Sequence, residues 1–217
     1  MLVDHRRSYI NYVKIALLFV VMLASSQEVL AKDTLASVLE QVVQQKLTVV
    51  EYREVKHIVY LQDPVETSGR IFIAGEKFVL EQKSPKRQLL AADKHRFRLY
   101  IPDRQVHYSK MLTSPQVQKS MQLFKPLMSG DQKALEAVFD TQFSVMGDAS
   151  WLLALTPKDT KGAKISYIRI QGEKAEPAHS AVIKMLNGNT SEWFFTLIPA
   201  SKDQQDMMEK LLAESQG

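Results

Sequence analysis

Arg96-Phe97-Arg98-Leu99-Tyr100-Ile101 is the stretch on which the fold turns. Phe97, Leu99 and Ile101 alternate with Arg96, Arg98 and Tyr100, and successive side chains of a strand point to opposite faces. The stretch is therefore a strand of a sheet with one greasy face and one wet, basic face. Moving upstream, Gln88 to Ala92, Lys77 to Lys83, Arg70 to Ala74 and Val49 to Leu61 read as further strands, rich in β-branched and aromatic residues. Asp93-Lys94, Ser84-Pro85, Gly75-Glu76, Ser68-Gly69 and Asp63-Pro64 punctuate them as turns or strand ends. Downstream, Pro102-Asp103 turns the chain into Gln105 to Lys110. Short strands joined at this spacing predict one antiparallel meander.

The period then changes. Ser114-Pro115 is a helix start, and Val117, Met121, Phe124 and Met128 share one helical face until Pro126 and Ser129-Gly130 end it. Asp131 caps a shorter helix with Ala134, Leu135, Val138 and Phe139 on its apolar side. Strands resume as Gln142 to Met146, Trp151 to Thr156, Ala163 to Gln171, Ser180 to Leu186 and Ser191 to Ile198. Asn187-Gly188 suits a two-residue hairpin between the last two. Ser201 with Gln204 opens a final helix striped by Met207, Met208, Leu211 and Leu212. A first helix, capped by Asp33 and striped by Leu35, Val38, Leu39, Val42 and Val43, precedes all the strands.

The 217 residues, 45% of them hydrophobic, suffice for a core and exclude a disordered or low-complexity chain. No cysteine is present, which excludes disulfides, thiolate metal sites and a cysteine nucleophile. His5, Arg6, Arg7 and Lys14 precede the apolar run Ile15 to Ala24, too short for the roughly 20 residues of a membrane span but suited to a secretory leader. Val29-Leu30-Ala31 offers a processing site before Lys32, with Ala24-Ser25-Ser26 as the alternative and an uncleaved anchor as the competing reading. Residues 1–31 are thus read as a signal peptide and 32–217 as one exported, periplasmic, soluble domain. Without Arg6, Arg7, Lys14, Asp4 and Glu28 the exported part carries about +3, too little to argue for nucleic acid.

No catalytic or metal-binding pattern stands out. His57, His95, His107 and His179 lie at no ligand spacing, and there is no G-x-S-x-G, phosphate loop or dinucleotide fingerprint. No enzyme activity, no metal and no cofactor are expected. The basic stretch from Lys83 to Arg104 is read either as a solvated face or as a docking face for an acidic partner or anionic lipid, carried by Lys86, Arg87, Arg96 and Arg98. The apolar inventory says more. One curved sheet would carry Phe72 (or Ile73), Phe78, Leu80, Phe97 and Leu99 on its inner face, joined by Trp151, Leu153, Trp193 and Phe195. Met121, Phe124 and Met128 would cover that face, and such adaptable side chains suit a surface sometimes filled by acyl chains. A permanently packed core is the alternative that periodicity leaves open.

The order of elements resembles the LolA-like superfamily of periplasmic lipoprotein carriers. The residues that carry the likeness are Gly69-Arg70-Ile71-Phe72-Ile73, Lys77-Phe78-Val79-Leu80-Glu81 with Ser84-Pro85, and Phe97-Arg98-Leu99-Tyr100. Leu127-Met128-Ser129-Gly130-Asp131 and Phe143-Ser144-Val145 complete it, so the likeness spans Leu35 to Ile198. It implies an α+β fold, an unclosed antiparallel β-barrel or half-pipe of about 10–11 strands whose concave face is covered by helices. It also implies acyl chains of a lipoprotein or other lipid in the cavity, an inner-membrane transporter as donor, an outer-membrane acceptor, and a monomer. Where that family has an Arg-Pro pair after its second strand, Ala74-Gly75 stands here, so the chain resembles a divergent paralogue serving another acylated lipid or a lipid-linked pigment. The competing function is a non-catalytic envelope scaffold that holds a membrane-protein partner.

Overall fold

A computed structural model describes residues 34–43, 47–113, 131–147, 150–159, 164–173 and 178–216. Eleven strands form one antiparallel sheet: β1 Thr48–His57, β2 Val65–Ala74, β3 Lys77–Ser84, β4 Gln88–Ala92, β5 Arg96–Ile101, β6 Val106–Met111, β7 Phe139–Met146, β8 Ser150–Pro157, β9 Ile165–Glu173, β10 Ala178–Met185 and β11 Thr190–Ile198. Among the described residues three α-helices accompany them: α1 Leu35–Val43, α2 Gln132–Val138 and α3 Lys202–Glu214. The signal-peptide reading and the helix expected over residues 114–130 lie outside the described residues.

The strand order is β6-β5-β4-β3-β2-β1-β11-β10-β9-β8-β7. Two meanders therefore meet in the middle, where β1 pairs with β11 from Val49↔Ile198 to His57↔Thr190. Among the described residues β6 and β7 pair with no further strand, so the sheet is an unclosed barrel. Right-handed twist accumulated over so many strands curls it. One face consequently gathers side chains from Val50 and Tyr52 at the centre out to Tyr108 and Phe143 at the two edges into a single cluster with Leu35, Val38 and Leu39 of α1 and Leu135 of α2. That is the concave face.

The other face is not uniformly wet and basic, as the alternation in Arg96 to Ile101 suggests. Val49, Phe72, Val79, Leu89 and Ala91 are buried there beneath Met208, Leu211 and Leu212 of α3. Apolar pairs such as Val49-Val50, Ile71-Phe72 and Leu89-Leu90 serve both faces at once, which strict alternation does not anticipate. The final helix thus covers the convex side. Ser201 caps it by accepting from the Gln204 N–H at 3.3 Å, while Met207 stays exposed. Arg87 fastens it, donating in two parallel bonds to Glu214 (Nη2 to Oε2 2.8 Å) and through Nε to Glu81 at 3.1 Å. These bonds raise the Arg87 guanidinium further above its ordinary range and lower the Glu214 carboxyl.

Local details differ from the sequence reading for identifiable reasons. Ser68-Gly69 lies inside β2 rather than before it, at an irregularity where Ser68 faces Ser84 and Gly69 faces Gln82. A Cβ on Gly69 would stand 1.9 Å from the Glu81 carbonyl oxygen, so only glycine lets β3 approach. The Asn187-Gly188 hairpin has three loop residues: the Gly188 N–H donates to the Met185 carbonyl, the Met185 N–H to the Asn189 carbonyl, and Gly188 takes φ 87°. Phe139 begins β7 instead of closing α2, and β1 stops at His57 short of the expected Leu61. Thr34 caps α1 by accepting from the Ser37 N–H at 3.2 Å, while Asp33 lies outside the described residues.

Gly172 faces Trp151 across β8 and β9, and the indole lies where a Cβ would go, 2.2 Å from the ring. Trp151 is held there by its Nε1–H donating to the Glu173 carbonyl at 3.0 Å. Gly172→Ala is expected to displace the indole and destabilise the fold by about 2 kcal/mol, measured by urea unfolding.

Candidate functional site

Register decides which side chains look inward. Across the seam Val50 is opposite Leu197 and Ile71, Tyr52 opposite Phe195 and Gly69, and Glu54 opposite Trp193 and Thr67. Following the pairs outward, Ile71 meets Leu80, Leu80 meets Leu90, and Leu90 meets Leu99 on the first meander. On the second, Trp193 meets Ala181, Ala181 meets Ile170, and Ile170 meets Leu153. Phe78, Leu80, Phe97, Leu99, Trp151, Leu153, Trp193 and Phe195 all lie on this concave face. Phe72 does not. It faces the opposite way, under α3, and its neighbours Ile71 and Ile73 take the inward positions. Met121, Phe124 and Met128 lie outside the described residues.

The concave face is unevenly covered. Trp151, Leu153, Ile168, Ile170 and Ile183 are at most 1% exposed, whereas Leu80, Ala92, Phe97, Leu99 and Ile101 keep 7–9%. Leu135 of α2 and Phe139, both fully buried, belong to the closed side. All of these side chains are buried, and those of Leu80, Ala92, Phe97, Leu99 and Ile101, on β3, β4 and β5, form the less completely covered apolar strip. Tyr52 and Trp193, with ring centroids 5.2 Å apart, and Phe195, 6.1 Å from Trp193, form an aromatic row along the seam beside it.

Toward the His57 end of the seam the concave face turns polar, a feature the sequence reading missed. Glu54 is only 3% exposed. Its Oε1 accepts from the Ser191 hydroxyl at 2.6 Å, its Oε2 from the Thr67 hydroxyl at 2.9 Å, and Lys56 Nζ stands 2.7 Å from Oε2. A buried carboxylate needs such partners, because desolvation without them costs several kcal/mol. Burial, with the negative charges of Glu54 and Glu81 adding to it, pushes the Tyr52 phenol above its ordinary range despite a hydrogen bond with Thr67. The available signal was parity: Glu54 and Lys56 share the even positions of Val50 and Tyr52. Val49, Arg53 and Val55 make the odd positions equally mixed, so the alternation alone names no inner side.

The basic residues do not form one cluster. Lys86 and Arg87 lie where β3 joins β4, while Arg96 and Arg98 flank the far end of β4. Arg87 is held by Glu214 and Glu81, and Arg98 Nη1 donates to Asp93 Oδ2 at 2.6 Å. Asp93 Oδ1 also accepts the N–H groups of His95 at 2.8 Å and Arg96 at 2.9 Å, closing the β4–β5 turn. Burial alone would raise this carboxyl, but the His95, Arg98 and Arg96 bonds outweigh it and hold Asp93 at about 2 against an ordinary 3.8.

No family model and no curated protein matches the chain. Solved structures do. The chain is similar to a DUF1329 family protein from Desulfovibrio piger, with 10% identity over 77% of this chain and 91% of that one, at a TM-score of 0.43. It is similar to a Vibrio parahaemolyticus domain described as an outer membrane lipoprotein-sorting protein, with 12% identity over 80% and 96%, at 0.43. It is also similar to a LolA superfamily protein from Nitrosomonas europaea, with 9% identity over 74% and 90%, at 0.36.

Two outcomes follow from the polar groups. Lys56→Met leaves Glu54 buried with hydroxyl partners only and is expected to cost about 2–3 kcal/mol in urea unfolding, part of which the double substitution with Glu54→Gln restores. Asp93 binds its proton less readily folded than unfolded, so its stabilisation is present above pH 3.8 and is lost as pH falls towards about 2. Acid titration of Asp93→Asn, followed by circular dichroism, should lack that component.

Proposed function

We propose that the protein is an exported, non-catalytic carrier that shelters the acyl chains of a lipoprotein or another lipid on the concave face and moves them from the inner towards the outer membrane. The observation that supports this reading is the continuous apolar concave face, in which the strip of Leu80, Phe97, Leu99 and Ile101 is less completely covered than the side packed by α2. An acyl chain laid there leaves water at about 0.8 kcal/mol per buried methylene, which is enough to hold a long chain during transit. Phe78, Trp193 and Phe195 would border the chain, and Trp151 and Leu153 would form the floor on the closed side. The short apolar run before Ala31 supports export and hence a periplasmic site of action. The Glu54 carboxylate on this face is already engaged by Lys56, Thr67 and Ser191, which suits holding a ligand better than transforming one.

The test is mass spectrometry of organic extracts from natively purified protein. Acyl lipid is expected to co-purify, and Leu99→Glu, checked for cooperative unfolding, should lower lipid content about tenfold by placing a charge in the strip. Protein that takes up no lipid under any loading condition would overturn the reading.

A further inference from the structure

The three most exposed large apolar side chains among the described residues, Tyr60, Val59 and Leu186, gather at one end of the sheet. Beyond β1, Val59, Tyr60 and Leu61 are 70%, 82% and 46% exposed, and Leu186, at the tip of the β10–β11 hairpin, is 55% exposed. The two tips are joined. The Val59 N–H donates to Asn189 Oδ1 at 3.1 Å, and Val59 packs so close to Gly188 that a Cβ there would touch it at 2.9 Å. The Leu61 N–H closes its own turn on the Ile58 carbonyl at 2.8 Å, and the Leu186 N–H donates to the Lys164 carbonyl at 2.8 Å. These side chains are therefore held out in water by a braced backbone, at a hydrophobic cost that the fold does not recover by itself.

The geometry points to this double tip as a membrane-docking site that seats on a bilayer surface containing anionic lipid. Its chemistry is interfacial: an amphipathic tyrosine between two aliphatic residues, a second aliphatic tip, and exposed Lys164 and Lys184 flanking Leu186, with Asp63 as the acid of the first loop. Its size also selects the occupant. Four side chains cannot supply the roughly 1,200 Å² of a stable protein interface, whereas shallow insertion into the headgroup boundary needs no such area. The Lys56–Glu54 cluster lies on the concave face at this same end, so docking would bring the polar mouth of the half-pipe to the headgroup layer. The docking claim stands independently of what the concave face carries.

Flotation of the full-length exported chain with vesicles of phosphatidylethanolamine and about one quarter phosphatidylglycerol reads it directly. The wild type should float with the vesicles. The triple variant Val59→Ser, Tyr60→Ser, Leu61→Ser should lose about tenfold in binding while unfolding as the wild type does, because its side chains are exposed in the free protein. Lys184→Ala should lose about fivefold, with the remaining difference abolished at high salt. Wild-type protein that stays in solution, a serine variant that floats equally well, or self-association through the tips in place of vesicle binding would overturn the proposal. Lipid loading from detergent, measured on the same serine variant, reads the concave face alone and keeps the two conclusions separable.

Discussion

The pairing of β1 with β11 is the constraint on which everything else rests. Each meander by itself is a chain of hairpins between neighbours in sequence, but these two strands lie at opposite ends of the chain and meet at the centre of the sheet. Their register brings Tyr52, Trp193 and Phe195 into one row and places Glu54 against Thr67 and Ser191. A slip by one residue would turn each of these side chains to the other face. The aromatic row, the buried carboxylate and the continuity of the concave face are consequences of one long-range alignment.

The same alignment sets what each face can do. The concave side is asymmetric, closed where Leu135 and Phe139 pack and less completely covered over β3 to β5. The convex side has its own smaller core under α3, fastened by Arg87 through Glu214 and Glu81. The wall formed by β3 and β4 is packed on both sides, since these strands contribute Val79 and Leu89 outward and Leu80 and Leu90 inward.

Much of the inward face was legible because strands such as Arg96 to Ile101 alternate apolar with polar or amphipathic residues, so alternation names the inward residues directly. Phe97, Leu99, Trp193 and Phe195 obey that rule. Phe72 breaks it because β2 is covered on both faces, and an Ile-Phe-Ile run has the same hydrophobicity whichever side is inner. Glu54 escaped notice because a carboxylate among charged neighbours looks solvated until the partners that desolvate and satisfy it, from strands distant in sequence, are in place. The basic stretch looked continuous along the chain, yet β4 separates Arg87 from Arg96, and the carboxylates of Glu214 and Asp93 claim Arg87 and Arg98.

By itself the sequence determined the local periods: which segments are strands or helices, that one face of Arg96 to Ile101 is apolar, and that Ser201 and Asp131 start helices. These depend on spacing within a few residues, where side-chain direction follows from backbone geometry alone. Tertiary structure alone decided which end strands meet, which face of each doubly apolar strand looks inward, where α3 lies, and that Val59, Tyr60, Leu61 and Leu186 share a tip. Those outcomes depend on which distant surfaces are buried together, and burial is a property of the assembled sheet rather than of any one segment.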